Sequence, residues 1–132
     1  MLERFREKTK DFGDKFELVC ANLQDEHINF NNPDVIISTM AFHHLDHPQS
    51  IAKHFFEELK SGGYVALIDL DSEDGSFHDD GNEGVKHFGF CREFFKDMLE
   101  KSGFTDIKDK TVHTIRKNDK EYSIFLITAK KP

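Results

Sequence analysis

The chain has 132 residues, 25 of them acidic against 18 Lys and Arg, for a net charge of -7; 37% are hydrophobic, including 14 Phe but no Trp. That length holds one domain and one core, burying roughly two-thirds of the surface its unfolded chain exposes. The negative charge and the scattered cations exclude a nucleic-acid backbone as partner, because counterion release needs clustered Lys and Arg.

In chain order, Leu2, Phe5, Thr9 and Phe12 share one stripe of a helix predicted over 2–12, with Gly13 as its stop. Phe16–Ala21 reads as a short strand, and Asn31-Asn32-Pro33 as a turn. Val35–Ser38 is a β-branched strand. Pro48 suits the first turn of a helix whose apolar face is Ile51, Phe55, Phe56 and Leu59, closed by Ser61-Gly62-Gly63. Tyr64–Leu70 is nearly all apolar, the pattern of a parallel strand covered on both faces. Residues 71–89 are acidic and aperiodic, and their length marks them as a functional loop or lid. A helix over 92–102 turns Phe94, Phe95, Met98 and Leu99 inward and stops at Gly103. Strands over 105–115 and 121–129, joined through Lys117-Asn118-Asp119-Lys120, close the chain as a hairpin.

Alternating strands and helices predict an α/β fold: a parallel sheet with right-handed crossovers, helices on its faces and an antiparallel strand at one end. No apolar run reaches the roughly 18 residues that span a bilayer, and no signal-peptide core opens the sequence, so no membrane partner is expected. Cys20 and Cys91 have no CxxC spacing, which fits a reducing cytoplasm.

Three polar groupings are candidates for chemistry. His43-His44-Leu45-Asp46-His47 overlaps the H-x-H-x-D-H motif of metallo-β-lactamase-like hydrolases, in which imidazoles and a carboxylate converge on a metal. Phe42 stands in the first histidine's place and Pro48-Gln49-Ser50 in that of the following glycines. A metal-dependent hydrolase is therefore the secondary alternative, and Asp46 or His47 near a helix N-cap the plainer reading. His78, Asp79 and Asp80, with Glu73 and Asp74, offer a carboxylate–histidine base. His87-Phe88-Gly89-Phe90 offers lining for an apolar substrate pocket, with packing against the sheet as the alternative.

Three segments, in order, resemble the class I S-adenosylmethionine (SAM)-dependent methyltransferases of the small-molecule type. Pro33–Leu45 is similar to that family's fourth strand and the turn after it. Glu58–Leu67 is similar to the entry of the fifth strand, with Ser61 replacing the usual proline; Leu99–Phe104 is similar to the last helix before a terminal hairpin. The resemblance implies the C-terminal portion of one Rossmann-like domain with an antiparallel C-terminal hairpin. Its first two strands and glycine-rich cofactor loop would be missing, and no GxGxG-like sequence occurs in the chain.

It further implies SAM as cofactor of the intact domain, a small-molecule methyl acceptor, and a chain that is inactive alone. By position, Asn22 stands where the family holds the adenine-binding acid, with Leu23 after it. Ser38, Thr39 and Met40 leave the fourth strand beside the methionine portion and the transferable methyl, and His44 borders the site. No catalytic side chain is implied. The bare sheet edge would favour a homodimer, and a non-catalytic, self-associating fragment is the main alternative.

Overall fold

A computed structural model of the chain describes residues 2–78 and 84–132. Helix α1 spans Leu2–Thr9 and tightens into a 3-10 segment at Lys10–Lys15. Strand β1 is Val35–Thr39, helix α2 Pro48–Glu58 and strand β2 Tyr64–Leu70. Helix α3 spans Arg92–Ser102 and is followed by strands β3, Thr105–Lys117, and β4, Lys120–Lys130.

The four strands form one open sheet in the order β1-β2-β4-β3. β1 and β2 pair in parallel, as a strand–helix–strand crossover through α2 requires. β4 runs antiparallel to both neighbours. The antiparallel strand therefore lies inside the sheet rather than at one end, because the hairpin folds β4 back between β2 and β3. Its turn is built by Asn118 and Asp119, at φ 50° and 63°. Two adjacent left-handed residues are what a two-residue hairpin turn needs, and Asn and Asp tolerate them.

Both α2 and α3 pack on the same face of the sheet. Ile51, Ala52, Phe55 and Leu59 of the first and Phe95, Met98 and Leu99 of the second enclose Val65, Leu67, Phe125, Ile127 and Ala129. Gly103 ends α3 at φ +110°, and a Cβ there would meet the Phe56 ring at 2.7 Å. The other face holds a smaller cluster at one end, where Met40, Ile68 and Phe77 pack on Leu70, Tyr122 and Ile124. Strand β2 consequently alternates between buried and half-buried positions along most of its length.

Three local expectations are corrected. Phe16–Ala21 forms no strand; among the described residues nothing pairs with it as a ladder, and an extended segment without a ladder partner is not held as one. The first helix gives way to 3-10 geometry after Thr9 and passes Gly13 without stopping there, and α1 buries none of its residues. Phe94 is 39% exposed while Phe95 is fully buried, because adjacent helix positions point about 100° apart. Among the described residues no helix is long and apolar enough to cross a membrane.

Arg92 ties three elements together. Its guanidinium donates to both Asp71 carboxylate oxygens, at 2.8 and 2.7 Å, to Asp109 at 3.3 Å and to Thr111 at 2.7 Å. Burial pushes the Asp71 carboxyl up, but hydrogen bonds from Arg92 and Ser123 and the Arg92 charge outweigh it and hold it below its ordinary range. Asp109 is held low by its hydrogen bond from Lys96, against burial, with help from Arg92. A carboxyl depressed in the fold adds stability above its ordinary value of 3.8, and that stability is lost as pH falls through the lower folded value. Replacing Arg92 with Ala is therefore expected to cost about 2 kcal/mol near neutral pH. In urea melts repeated down the pH scale, the difference from the parent should shrink below the ordinary carboxyl value.

Candidate functional site

The carboxyl ends of β1 and β2 carry the site, as they do in open α/β sheets generally. The chain leaves β1 at Met40, which takes φ 54° and donates its N–H to the Ile68 carbonyl at 2.8 Å. That bond ties the exit of β1 to β2, and a short 3-10 turn, Phe42–His44, follows. Phe42 fills the core beneath the turn, against Phe55 and Phe95.

Next to Phe42, His43 is 2% exposed and faces Asp69 of β2, which is 1% exposed. The His43 ring donates from Nδ1 to Asp69 Oδ1 at 2.8 Å, and the His43 backbone N–H reaches Oδ2 at 3.3 Å. Oδ1 also accepts the Leu70 N–H at 2.7 Å. A carboxylate only accepts, so the ring proton sits on Nδ1, and in the neutral imidazole the lone pair then lies on Nε2. That Nε2 is buried and has no hydrogen-bond partner among the described residues.

The returning half of the long loop clamps this turn. Lys86 and His87 donate backbone N–H groups to the His43 carbonyl, each at 2.9 Å. His44, exposed, donates from Nδ1 to the Gly84 carbonyl at 2.8 Å, and His87 Nε2 bonds the Leu45 carbonyl at 2.9 Å. Gly89 closes the loop at φ +73°, where a Cβ would lie 2.1 Å from the Asp71 carbonyl oxygen. Any side chain there would force the loop off β2.

From the outgoing half of the loop comes His78, half-buried, its ring centroid 5.4 Å from that of His43 and 5.9 Å from that of His44. Burial, then the charges His43 and His44 would carry, push the His78 pKa down. His78 Nε2 is also buried without a partner among the described residues.

The sequence candidates separate into two places. Leu23 and Ser38 line an open groove of about 380 Å³ on the free side of β1, with Phe30, Ile36, Ile37 and Phe55. Asn22, beside Leu23, spends its amide locally: Oδ1 accepts from Gln24 N–H and Nδ2 donates to Asp25. Thr39 ends β1 in register with Ile68, Met40 packs on the Leu70 cluster, and His44 stands with His43 and His78. The groove has apolar walls and a single hydroxyl. They supply no charged partner for the ammonium and carboxylate of a methionine portion.

The suggested His43, His44, Asp46 and His47 quartet does not converge. Asp46 pairs with Lys86 at 3.5 Å, and His47 is the exposed N-cap residue of α2. Asp79 and Asp80 lie outside the described residues, while Glu73 and Asp74 cap turns in the loop at Gly75 and Ser76. His87 and Phe90 pack against each other at 5.0 Å, and Phe88 is exposed. Sequence reading passed over Asp69 and did not join His78 to His43. A lone aspartate inside an otherwise apolar strand is the signal for the first, since a buried charge demands a partner.

Residues 3–109 match the family model of a methyltransferase domain. The chain belongs to this family. No curated protein matches the chain in sequence. A SAM-dependent methyltransferase from Archaeoglobus fulgidus is similar in structure, with TM-score 0.68 and 17% identity over 95% of this methyltransferase-domain chain and 72% of its own. The SAM-dependent methyltransferase SibL is similar at TM-score 0.70 and 12% identity, over 99% of this chain and 40% of its own. Phosphoethanolamine N-methyltransferase 2 of Haemonchus contortus, in complex with SAM, gives TM-score 0.58 and 15% identity over 75% of this chain. The chain spans 33% of that enzyme's length.

Removing the imidazole in this methyltransferase domain leaves the buried Asp69 carboxylate with the His43 and Leu70 backbone N–H groups alone. His43→Ala is therefore expected to cost about 1.5–3 kcal/mol, the worth of a buried hydrogen bond to a charged group. Urea denaturation measures it, and a loss below about 1 kcal/mol, the size of an exposed pair, would contradict the buried arrangement.

Proposed function

We propose that the chain is the part of a methyltransferase domain that holds the adenosyl end of SAM and directs its methyl to a small-molecule acceptor. Membership of the methyltransferase-domain family over residues 3–109 is the observation that carries this reading. When bound, the cofactor supplies an electrophilic methyl on a sulfonium.

In this reading Leu23, Ile37 and Ser38 hold the adenosyl group in the groove, with Asn22 at its rim. Ser38, Thr39 and Met40 flank the methionine end, and His44 borders the acceptor side. The chain's contribution to rate is positional: it aligns acceptor and methyl at the strand ends, and the clamped 84–90 segment keeps water out. No side chain forms a covalent bond to the substrate. We place the domain in the cytoplasm, where Cys20 and Cys91, both exposed thiols, stay reduced.

A second reading is favoured by one observation. Val35 and Ile37 on the free edge of β1 are 52% and 68% exposed, and such an edge invites a second copy of the chain to pair there. One variant tests both readings, because Ile37→Arg fills the groove and charges the edge at a position too exposed to disturb folding.

In calorimetric titration the parent is expected to bind SAM and its demethylated product one to one, and Ile37→Arg to weaken SAM at least tenfold. Absence of heat and of thermal shift with both ligands would overturn cofactor binding by this chain. Sedimentation should show a concentration-dependent dimer that the same variant dissolves; a parent monomeric at every concentration would overturn self-association.

A further inference from the structure

We propose that His43, His44 and His78 form a binding site for one divalent transition-metal ion, with Asp69 as the outer carboxylate that orients His43. Each of the three histidines offers a ring nitrogen within 4.8 Å of those of the other two. The Nδ1 atoms of His43 and His44 are already committed, to Asp69 and to the Gly84 carbonyl. In both rings this leaves Nε2 as the atom free to ligate, and it fixes the ring orientations.

A histidine that ligates a metal through one nitrogen and donates its other N–H to a carboxylate or carbonyl is the usual outer arrangement of such sites. Two of the three histidines show it before any ion is bound.

Unsatisfied nitrogen is the independent sign. His43 Nε2 and His78 Nε2 are the buried side-chain polar atoms without a hydrogen-bond partner among the described residues. A buried, unpartnered imidazole nitrogen costs free energy, and a cation held between these rings would satisfy both atoms at once. The tilted rings of His43 and His44, with centroids 4.1 Å apart, already crowd around one point. A tetrahedral ion at about 2.0–2.1 Å from each nitrogen needs ligand atoms roughly 3.4 Å apart, so from separations of 4.8 Å or less the rings close by at most about 1.4 Å. His78 comes from the loop and supplies most of that movement, with His44 held in orientation by the Gly84 carbonyl.

Three neutral imidazoles without a thiolate select zinc, cobalt, nickel or copper rather than magnesium or calcium. Three protein ligands leave a fourth position for water or for an oxygen of a bound small molecule. The site stands apart from the adenosyl groove, so its test does not depend on SAM. In a second group, His27, His54 and Glu58, the side-chain nitrogen and oxygen atoms also lie within 4.8 Å of one another. There His54 Nε2 is spent on the Ile28 carbonyl and His27 is largely exposed, so it serves as the control.

The experiment uses the whole chain, purified without a polyhistidine tag and stripped with chelator, titrated with Zn²⁺ by calorimetry and with Co²⁺ by visible absorption. The proposal expects one ion per chain, ligand-field bands of tetrahedral cobalt and a raised Tm. His44→Ala and His78→Ala, neither in the packed core, should each weaken binding at least tenfold with unchanged circular dichroism, while His27→Ala leaves it unaltered. No saturable binding, or binding removed by His27→Ala and kept by His78→Ala, would overturn it.

Discussion

A carboxylate buried at the end of a strand must be satisfied where it stands, and the geometry around Asp69 follows from that demand. Its two oxygens take up the His43 ring, the His43 backbone N–H and the Leu70 N–H. These bonds fasten the Phe42–His44 turn onto β2. The same turn offers the His43 carbonyl to Lys86 and His87, which draws the far half of the loop over the strand ends. One buried acceptor thus links β2, the exit of β1 and the loop. All the candidate chemistry, apart from the groove lined by Leu23 and Ser38, lies within reach of that linkage.

Packing in the rest of the molecule is lopsided. Two helices and most of the aromatic core cover one face of the sheet, whereas the opposite face keeps a small cluster under Phe77. The free side of β1 leaves Val35 and Ile37 in water. The apolar groove and the exposed edge are consequently the same surface, so a ligand and a second strand would compete for it. That shared surface is why a single charged residue at position 37 tests both readings.

How much of this was legible in the sequence depended on whether the signal was local. The Asn118-Asp119 turn, the Gly103 stop and the helix that starts at Pro48 are read from neighbouring residues, and each is found as expected. The family words Pro33–Leu45 and Glu58–Leu67 were also local, and the methyltransferase-domain match spans both. Phe16–Ala21 has a strand's composition, but strand formation depends on a partner, which composition does not report. The place of β4 inside the sheet was likewise a matter of pairing. At the site, the adjacent His43 and His44 drew attention as a motif, yet the side chains that meet His43 sit 26 and 35 residues away, at Asp69 and His78. Only folding brings those together.

The account stands or falls on the buried His43–Asp69 hydrogen bond, because it fixes which nitrogen of His43 faces the site. Long-range proton–nitrogen correlation spectra of the metal-free protein read the proton position on each imidazole directly. The prediction for neutral His43 is a slowly exchanging proton on Nδ1 and a bare Nε2. A proton found on Nε2, or tautomers averaged by fast exchange, would contradict it.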